Sequence, residues 1–304
     1  MQPDAGERRG EQPSRVRAYV GRPVTVGLAV ALLCVGAFGV VADNVVREGA
    51  LVTLDRGIDD GLHRDMPSTP AGKAFFKAVS EVGGTRLIAV LLGAAALLLL
   101  PAGQRALAMV ALLGLLVNAP IDEALKGYFQ RERPPPPPQV HASDHSWGFP
   151  SGHALGSTVG YGLLAYVALV FACRRRWARA AVVAGLSLVV LLIGFSRMYL
   201  HAHYLSQVLG GFAAGAAWLT VCVVVLEVLR QRLGAAVAPG SALWLLDRFA
   251  WGGTACLVGV LAVELGMGWL GQGLGLRWWI EALVFGAGGV LGLIGGAIYA
   301  RGSR

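Results

Sequence analysis

Long apolar runs separated by short polar segments set the pattern of this chain. Pro23 to Ala42 carries no charged side chain over about 20 residues, enough for a helix to cross the hydrocarbon core of a bilayer. Val40-Val41-Ala42 resembles a signal cleavage site, but the run is long for a signal core and a long polar stretch precedes it, so a retained helix is expected. Further apolar runs cover Leu87–Leu100, Ala106 to about Ile121, Ser151–Cys173, Ala180–Ser196, Tyr204–Leu229, Phe249–Leu270 and Trp279–Ala300. The pattern predicts an all-α, polytopic membrane helix bundle with eight spans. Residues 1–22, polar and rich in Arg, Gly and Pro, are expected to be a disordered tail. Asp43 to Arg86 mixes both charge signs, with Phe75, Phe76 and Val79 at helical spacing, and is expected to form an extramembrane connection holding one or two short amphipathic helices. Lys126 to Gly148 reads as a polar loop whose five prolines, Pro134 to Pro138, favour an extended conformation. Ser241 to Asp247 reads as interfacial.

Composition agrees with this pattern. Of 304 residues, 55% are hydrophobic and 14% charged, and the mean hydropathy is +0.60. A soluble domain carries about 25% charged residues. The net charge of +8 lies in short clusters between apolar runs rather than on one continuous face, which argues against a nucleic-acid partner. Arg105, Arg174 to Arg179, Arg230, Arg232 and the terminal arginines fall on one side of an eight-span topology. The positive-inside rule makes that side cytoplasmic, with both termini. Cys34, Cys173, Cys222 and Cys256 lack CxxC spacing and read as small core residues. Gly211 with Gly215, and Gly288, Gly292 and Gly296, follow a small-xxx-small pattern that permits close helix approach, within the monomer rather than between copies.

Three polar clusters fall on the opposite side, outside the cytoplasm. The first is Lys126 with Arg133-Pro134: a mobile ammonium and a rigid guanidinium fork both suit phosphate oxygens. The plain alternative pairs Lys126 with Asp122, one helical turn earlier. The second is Pro150-Ser151-Gly152-His153, where proline opens a helix whose first amides point outward with a serine hydroxyl and a glycine beside them, as at anion sites. A capped helix bearing an interfacial histidine would look the same. The third is Ser196-Arg197 and His203, with Gln207 four residues on and on the same helix face. His201 is out of phase with that face and is expected to be a solvated loop residue, as are His141 and His145.

In order and spacing, these clusters resemble the three-part signature of the type 2 phosphatidic acid phosphatase superfamily, KxxxxxxRP, PSGH and SRxxxxxHxxxD. The resemblance covers about residues 75–228. It implies a six-helix phosphatase core within a membrane domain of residues 23–230, followed at 231–304 by the interfacial segment and two additional helices. It implies that His203 is the nucleophile that forms a phosphohistidine and that His153 is the general acid, then the base that activates water. Lys126, Arg133 and Arg197, with the Ser151 hydroxyl and the Gly152 amide, would hold the phosphoryl oxygens. Three fixed cations can stabilise the charge of phosphoryl transfer without a metal, and no cofactor is expected. Gln207 stands where the family usually has Asp: it can orient His203 but carries no charge.

The implied activity is hydrolysis of a phosphorylated membrane lipid at the outer surface of a bacterial inner (plasma) membrane. Polyprenyl diphosphates such as undecaprenyl diphosphate come first, and phosphatidate, phosphatidylglycerol phosphate and lipid A phosphates next. Trp147, Phe149, Tyr199 and Tyr204 are expected as interfacial anchors. A lipid phosphotransferase, or a lipid-binding or transport homologue impaired by Gln207, are the competing readings. Glu264, inside the seventh run, is the feature that favours transport.

Overall fold

The computed structural model describes residues 12–66, 69–99, 104–135 and 147–234. Spans seven and eight, the 241–247 segment, Cys256, Glu264, His141, His145 and the glycines from Gly288 onward lie outside these residues.

Nine α-helices are found among the described residues. They are α1 (Gln12–Val46), α2 (Ala50–Asp65), α3 (Pro70–Val82), α4 (Thr85–Leu99), α5 (Arg105–Leu116), α6 (Asn118–Phe129), α7 (Gly152–Phe171), α8 (Arg176–Tyr199) and α9 (Leu205–Gly234). Within the segment 1–22, read from sequence as a disordered tail, residues 12–22 continue α1 as helix. Once an apolar span has nucleated a helix, extension adds a hydrogen bond per residue fixed, and Pro13 falls in the first turn, where its missing amide costs nothing.

Among the described residues, five helices are long and apolar enough to cross a membrane, and a sixth if the bent pair α3 and α4 is one span. The chain is a multi-pass membrane protein. The bend of 42° between α3 and α4 corrects one expectation: Pro70–Val82 is not a free extramembrane helix. Its Phe76 ring packs against Phe195 and Tyr199 of α8, at 5.5 and 4.2 Å between centroids. At the break the carbonyl of Val82 accepts from Tyr161 of α7 at 2.7 Å, so the backbone freed by the bend is satisfied within the bundle.

The core lies around α7, which packs on α4, α5, α6, α8 and α9. Ile88, Leu92, Leu112, Leu155, Leu163 and Ile193 are fully buried there. Large apolar side chains on the outer helices face away from the bundle, Leu33 at 74% and Leu98 at 75% exposure among them. Contiguous apolar surface of this kind needs a cover, and for spans of this length it is lipid. Gly211 on α9 lies so close to α7 that a Cβ there would stand 2.6 Å from the Ser151 carbonyl oxygen and 2.8 Å from Ala154 Cβ. The Gly211–Gly215 pair therefore serves packing within the monomer, and it seats α9 against the first turn of α7. That contact builds the site.

Candidate functional site

The C-terminal ends of α6 and α8 and the N-terminal ends of α7 and α9 meet at one end of the bundle. The three polar clusters converge there. Ser151 N–H donates to the Gln207 carbonyl at 2.9 Å, joining the second cluster to the third. Gln207 Nε2 donates to the Glu132 carbonyl at 2.7 Å, joining the third to the first.

His203 is buried, at 2% exposure, just before α9, and its ring is fixed by the first turn of that helix and by the loop before α7. Its Nδ1 lies 3.0 Å from Gln207 Oε1 and 3.0 Å from the Gly148 carbonyl oxygen. The orientation of the Gln207 amide follows from its other partners, since Nε2 faces a carbonyl and Oε1 accepts from Tyr204 N–H at 3.2 Å. Both neighbours of Nδ1 are thus acceptors, so Nδ1 carries the proton and Nε2 keeps its lone pair. Burial, then the charges of Arg133 and Arg197, hold this imidazole well below its ordinary pKa of 6.5. It is neutral at physiological pH. Gly148 has to be glycine: a Cβ there would stand 2.5 Å from Gln207 Nε2 and 2.8 Å from Oε1.

At the start of α7, the amides of Gly152, His153 and Ala154 precede the first intrahelical bond, from Leu155 N–H to the Ser151 carbonyl at 2.9 Å. Ser151 is fully buried, yet its hydroxyl makes no capping bond and has no hydrogen-bond partner. Nor does the buried Nε of Arg197. Buried polar atoms are rarely left this way, and here they share one small region with the positive end of a helix. Arg197, Arg133 and Lys126 all lie within electrostatic reach of His153.

Lys126 Nζ sits 2.6 Å from Asp122 Oδ2, so the plain pairing foreseen from the sequence forms. It does not remove Lys126 from the cluster, because Asp122 itself faces the start of α7: its Oδ2 would lie 2.6 Å from a Cβ at Gly152.

Several residues depart from their sequence-based reading. His201 is not a solvated loop residue; its Nδ1 lies 3.5 Å from Asp59 Oδ1 on α2. Phe149 and Tyr199 are buried rather than interfacial. Phe149 stacks on Phe38 at 5.7 Å and meets Phe129 edge-on at 4.9 Å, anchoring the loop before α7 to α1 and α6. Trp147 is exposed, at 37%, and Tyr204 is half-buried, with the Arg131 guanidinium 5.5 Å above its ring. Ser80 was not anticipated. Its hydroxyl accepts from Arg197 Nη1 at 2.6 Å and aims the guanidinium, a contact across 117 residues with no local sequence signal.

The fold is a multi-pass bundle of membrane-spanning helices, and one end of it gathers Lys126, Arg133, Arg197, His153 and the buried His203. Residues 105–230 match the PAP2 superfamily model. Over 98 residues the chain is 36% identical to phosphatidylglycerophosphatase B of Bacillus subtilis (strain 168), the match covering 31% of this chain and 46% of that protein. The chain thus spans about half the length of this curated relative. In fold it is similar, at a TM-score of 0.57 and 22% identity, to the crystal structure of a transmembrane PAP2 type phosphatidylglycerolphosphate phosphatase from Bacillus subtilis, over 65% of this chain and 96% of the other.

Proposed function

We propose that this protein is a lipid phosphatase that works through a phosphohistidine on His203, without a metal. The observation that carries the reading is the His203 ring, neutral, with Nδ1–H fixed by two acceptors and Nε2 left as nucleophile beside Arg133 and Arg197. Nε2 attacks phosphorus and the bond to the lipid oxygen breaks, while His153 gives its proton to that oxygen. His153, now neutral, takes a proton from water. The water oxygen attacks phosphorus, the P–N bond breaks, and phosphate leaves. Lys126, Arg133 and Arg197, with Ser151 Oγ and the Gly152 amide, hold the equatorial oxygens throughout.

The substrate class is a phosphorylated membrane lipid that reaches the site by lateral diffusion. The name of the curated relative supports ranking a glycerophospholipid phosphate monoester ahead of the polyprenyl diphosphates favoured by sequence alone. Arg105, Arg174 to Arg179 and Arg230 belong to the bundle end opposite the site, which supports an extracytoplasmic active site in the plasma membrane. The test is phosphate release by purified protein against phosphatidylglycerol phosphate, phosphatidate and undecaprenyl diphosphate in EDTA, with His203→Ala as blank. Release in EDTA is expected. Activity that appears only on adding a divalent cation would overturn the metal-independent mechanism, and label passed to a second lipid instead of water would make the protein a phosphotransferase.

Gln207 is compatible with turnover because its neutral amide does two jobs a carboxylate cannot combine. Oε1 orients His203, and Nε2 donates to Glu132. Gln207→Asp loses that donor and a methylene of reach, leaving a buried carbonyl unpaired at a cost of about 1–3 kcal/mol. The variant is expected to lower kcat by about tenfold, the rate equivalent of 1.4 kcal/mol. A rise above the wild-type rate would instead show that the missing charge limits turnover.

A further inference from the structure

Asp55 belongs to none of the three motifs, lies outside the family-matched segment, and is 1% exposed. It sits on α2, which packs on α1, α8 and α9. Its carboxylate is fully engaged. Oδ1 accepts from Ser206 N–H at 2.8 Å, and Oδ2 accepts from Ser206 Oγ at 2.6 Å and from Arg131 Nη2 at 2.6 Å. Arg131 Nη1 donates in turn to Ser206 Oγ at 2.5 Å, closing a ring of three side chains. One turn along α2, Asp59 lies 3.5 Å from His201. The two carboxylates of one helix face thus hold both ends of the short segment that carries His203.

What makes this more than a structural tie is where its two ends lead. Arg131 and Ser206 each stand next to a group that orients the His203 ring. The Arg131 carbonyl accepts from Gly148 N–H at 2.6 Å, and the Gly148 carbonyl is one of the two acceptors at His203 Nδ1. The next carbonyl, of Glu132, holds Gln207 Nε2, while Gln207 Oε1 is the other acceptor. Ser206 is the residue before Gln207, and Asp55 caps its amide in the first turn of α9, where helices lack internal acceptors. Both acceptors at the histidine are therefore one step removed from the two groups that Asp55 bridges.

We infer that Asp55 is a positioning residue for the reaction: from α2 it locks Arg131 to Ser206 and so sets the direction of the His203 lone pair. This rests on the phosphatase reading above. It assigns α2, which sequence reading treats as a connection, to the catalytic assembly. Lys126 and Arg197 are held by Asp122 and Ser80, outside this lock, so losing it affects the bond-forming step more than anion binding.

The experiment compares full-length wild type with Asp55→Asn, Arg131→Gln, their double variant and the milder Ser206→Ala. Three readouts are taken: kcat and KM on the best lipid substrate, affinity for vanadate, and affinity for inorganic phosphate. Vanadate forms a bond to the nucleophile, whereas phosphate needs only the cations. Asp55→Asn is expected to lower kcat by about 10- to 100-fold, the range found when an orienting partner of a functional histidine is removed, with KM within about threefold. Vanadate affinity should fall with kcat and phosphate affinity should hold. The double variant should lose little more than the worse single one, since both act on one lock. Unchanged kcat and vanadate affinity in Asp55→Asn overturn the inference, and so does an equal loss of vanadate and phosphate binding, which marks a collapsed site. If Asp55→Asn fails to fold, Ser206→Ala decides by the same readouts. Wild type that binds vanadate but hydrolyses no lipid would count against the phosphatase reading, and the vanadate arm would still judge Asp55. Wild type that binds neither anion overturns both.

Discussion

His203→Ala is expected to reduce phosphate release by about 10⁴-fold or more, to the level of the assay blank, because it removes the one group placed to form the covalent intermediate. The expectation rests on the division of labour at the ring. Nδ1–H is held at 3.0 Å by both Gln207 Oε1 and the Gly148 carbonyl, so Nε2 is committed to the pocket as a lone pair. Burial and two nearby guanidinium groups keep the ring neutral, and so keep that lone pair available, well below pH 6.5. When Nε2 bonds to phosphorus the ring becomes cationic, and the same two acceptors then face a stronger donor. His153, the other histidine of the proposed site, projects from the start of α7. Wild type quenched during turnover should retain label from a phosphate-labelled substrate in an acid-labile bond, as a phosphoramidate does, and His203→Ala should retain none. Inorganic phosphate should still bind the variant, because Lys126, Arg133 and Arg197 remain. Turnover within tenfold of wild type in the alanine variant, or label persisting in it, would move the nucleophile elsewhere.

The residues proposed to do chemistry could be picked out in the sequence because their spacing is local. Lys126 and Arg133, Ser151 to His153, and Arg197 and His203 each lie within one helix end or one turn, where period and capping signals operate. The apolar runs likewise located the five single-helix spans among the described residues, and the Leu87–Leu100 run located α4, which crosses only if it forms one bent span with α3. The groups that aim those residues were not legible. Ser80 meets Arg197 across 117 positions, and Asp55 meets Ser206 across 151. Such pairs depend on which helices end up adjacent, and nothing in either segment announces the partner. Phe149 and Tyr199 were misread for a related reason. An aromatic residue at the end of an apolar run looks the same whether it faces the headgroups or, as here, packs against a helix that arrives from elsewhere in the chain. His201 is a similar case: it lies in the turn before α9, and its partner Asp59 lies on α2.

His153→Ala should separate the two halves of the reaction. With a lipid phosphate the leaving group is an aliphatic alkoxide that must be protonated as the P–O bond breaks. Loss of a general acid costs about 10²- to 10⁴-fold in such a step. A nitrophenyl phosphate ester leaves as a stable phenolate and needs no proton, so the first half-reaction should survive the substitution on that substrate. The second half should not, because the same imidazole takes the proton from the attacking water. The variant is therefore expected to release one equivalent of nitrophenol per active site in a burst and then turn over slowly, with the phosphohistidine accumulating. Its geometry supports this assignment. His153 stands in the first turn of α7, beside the buried Ser151 hydroxyl and within reach of the charges of Lys126, Arg133 and Arg197. That position lies within electrostatic reach of His203 as well. Were His153 only another phosphate ligand, removing it would slow both substrates by the same factor and abolish the burst. Equal losses in the first half-reaction on the lipid and the nitrophenyl ester, with no nitrophenol burst, would thus return His153 to a binding role and leave the leaving-group proton to water.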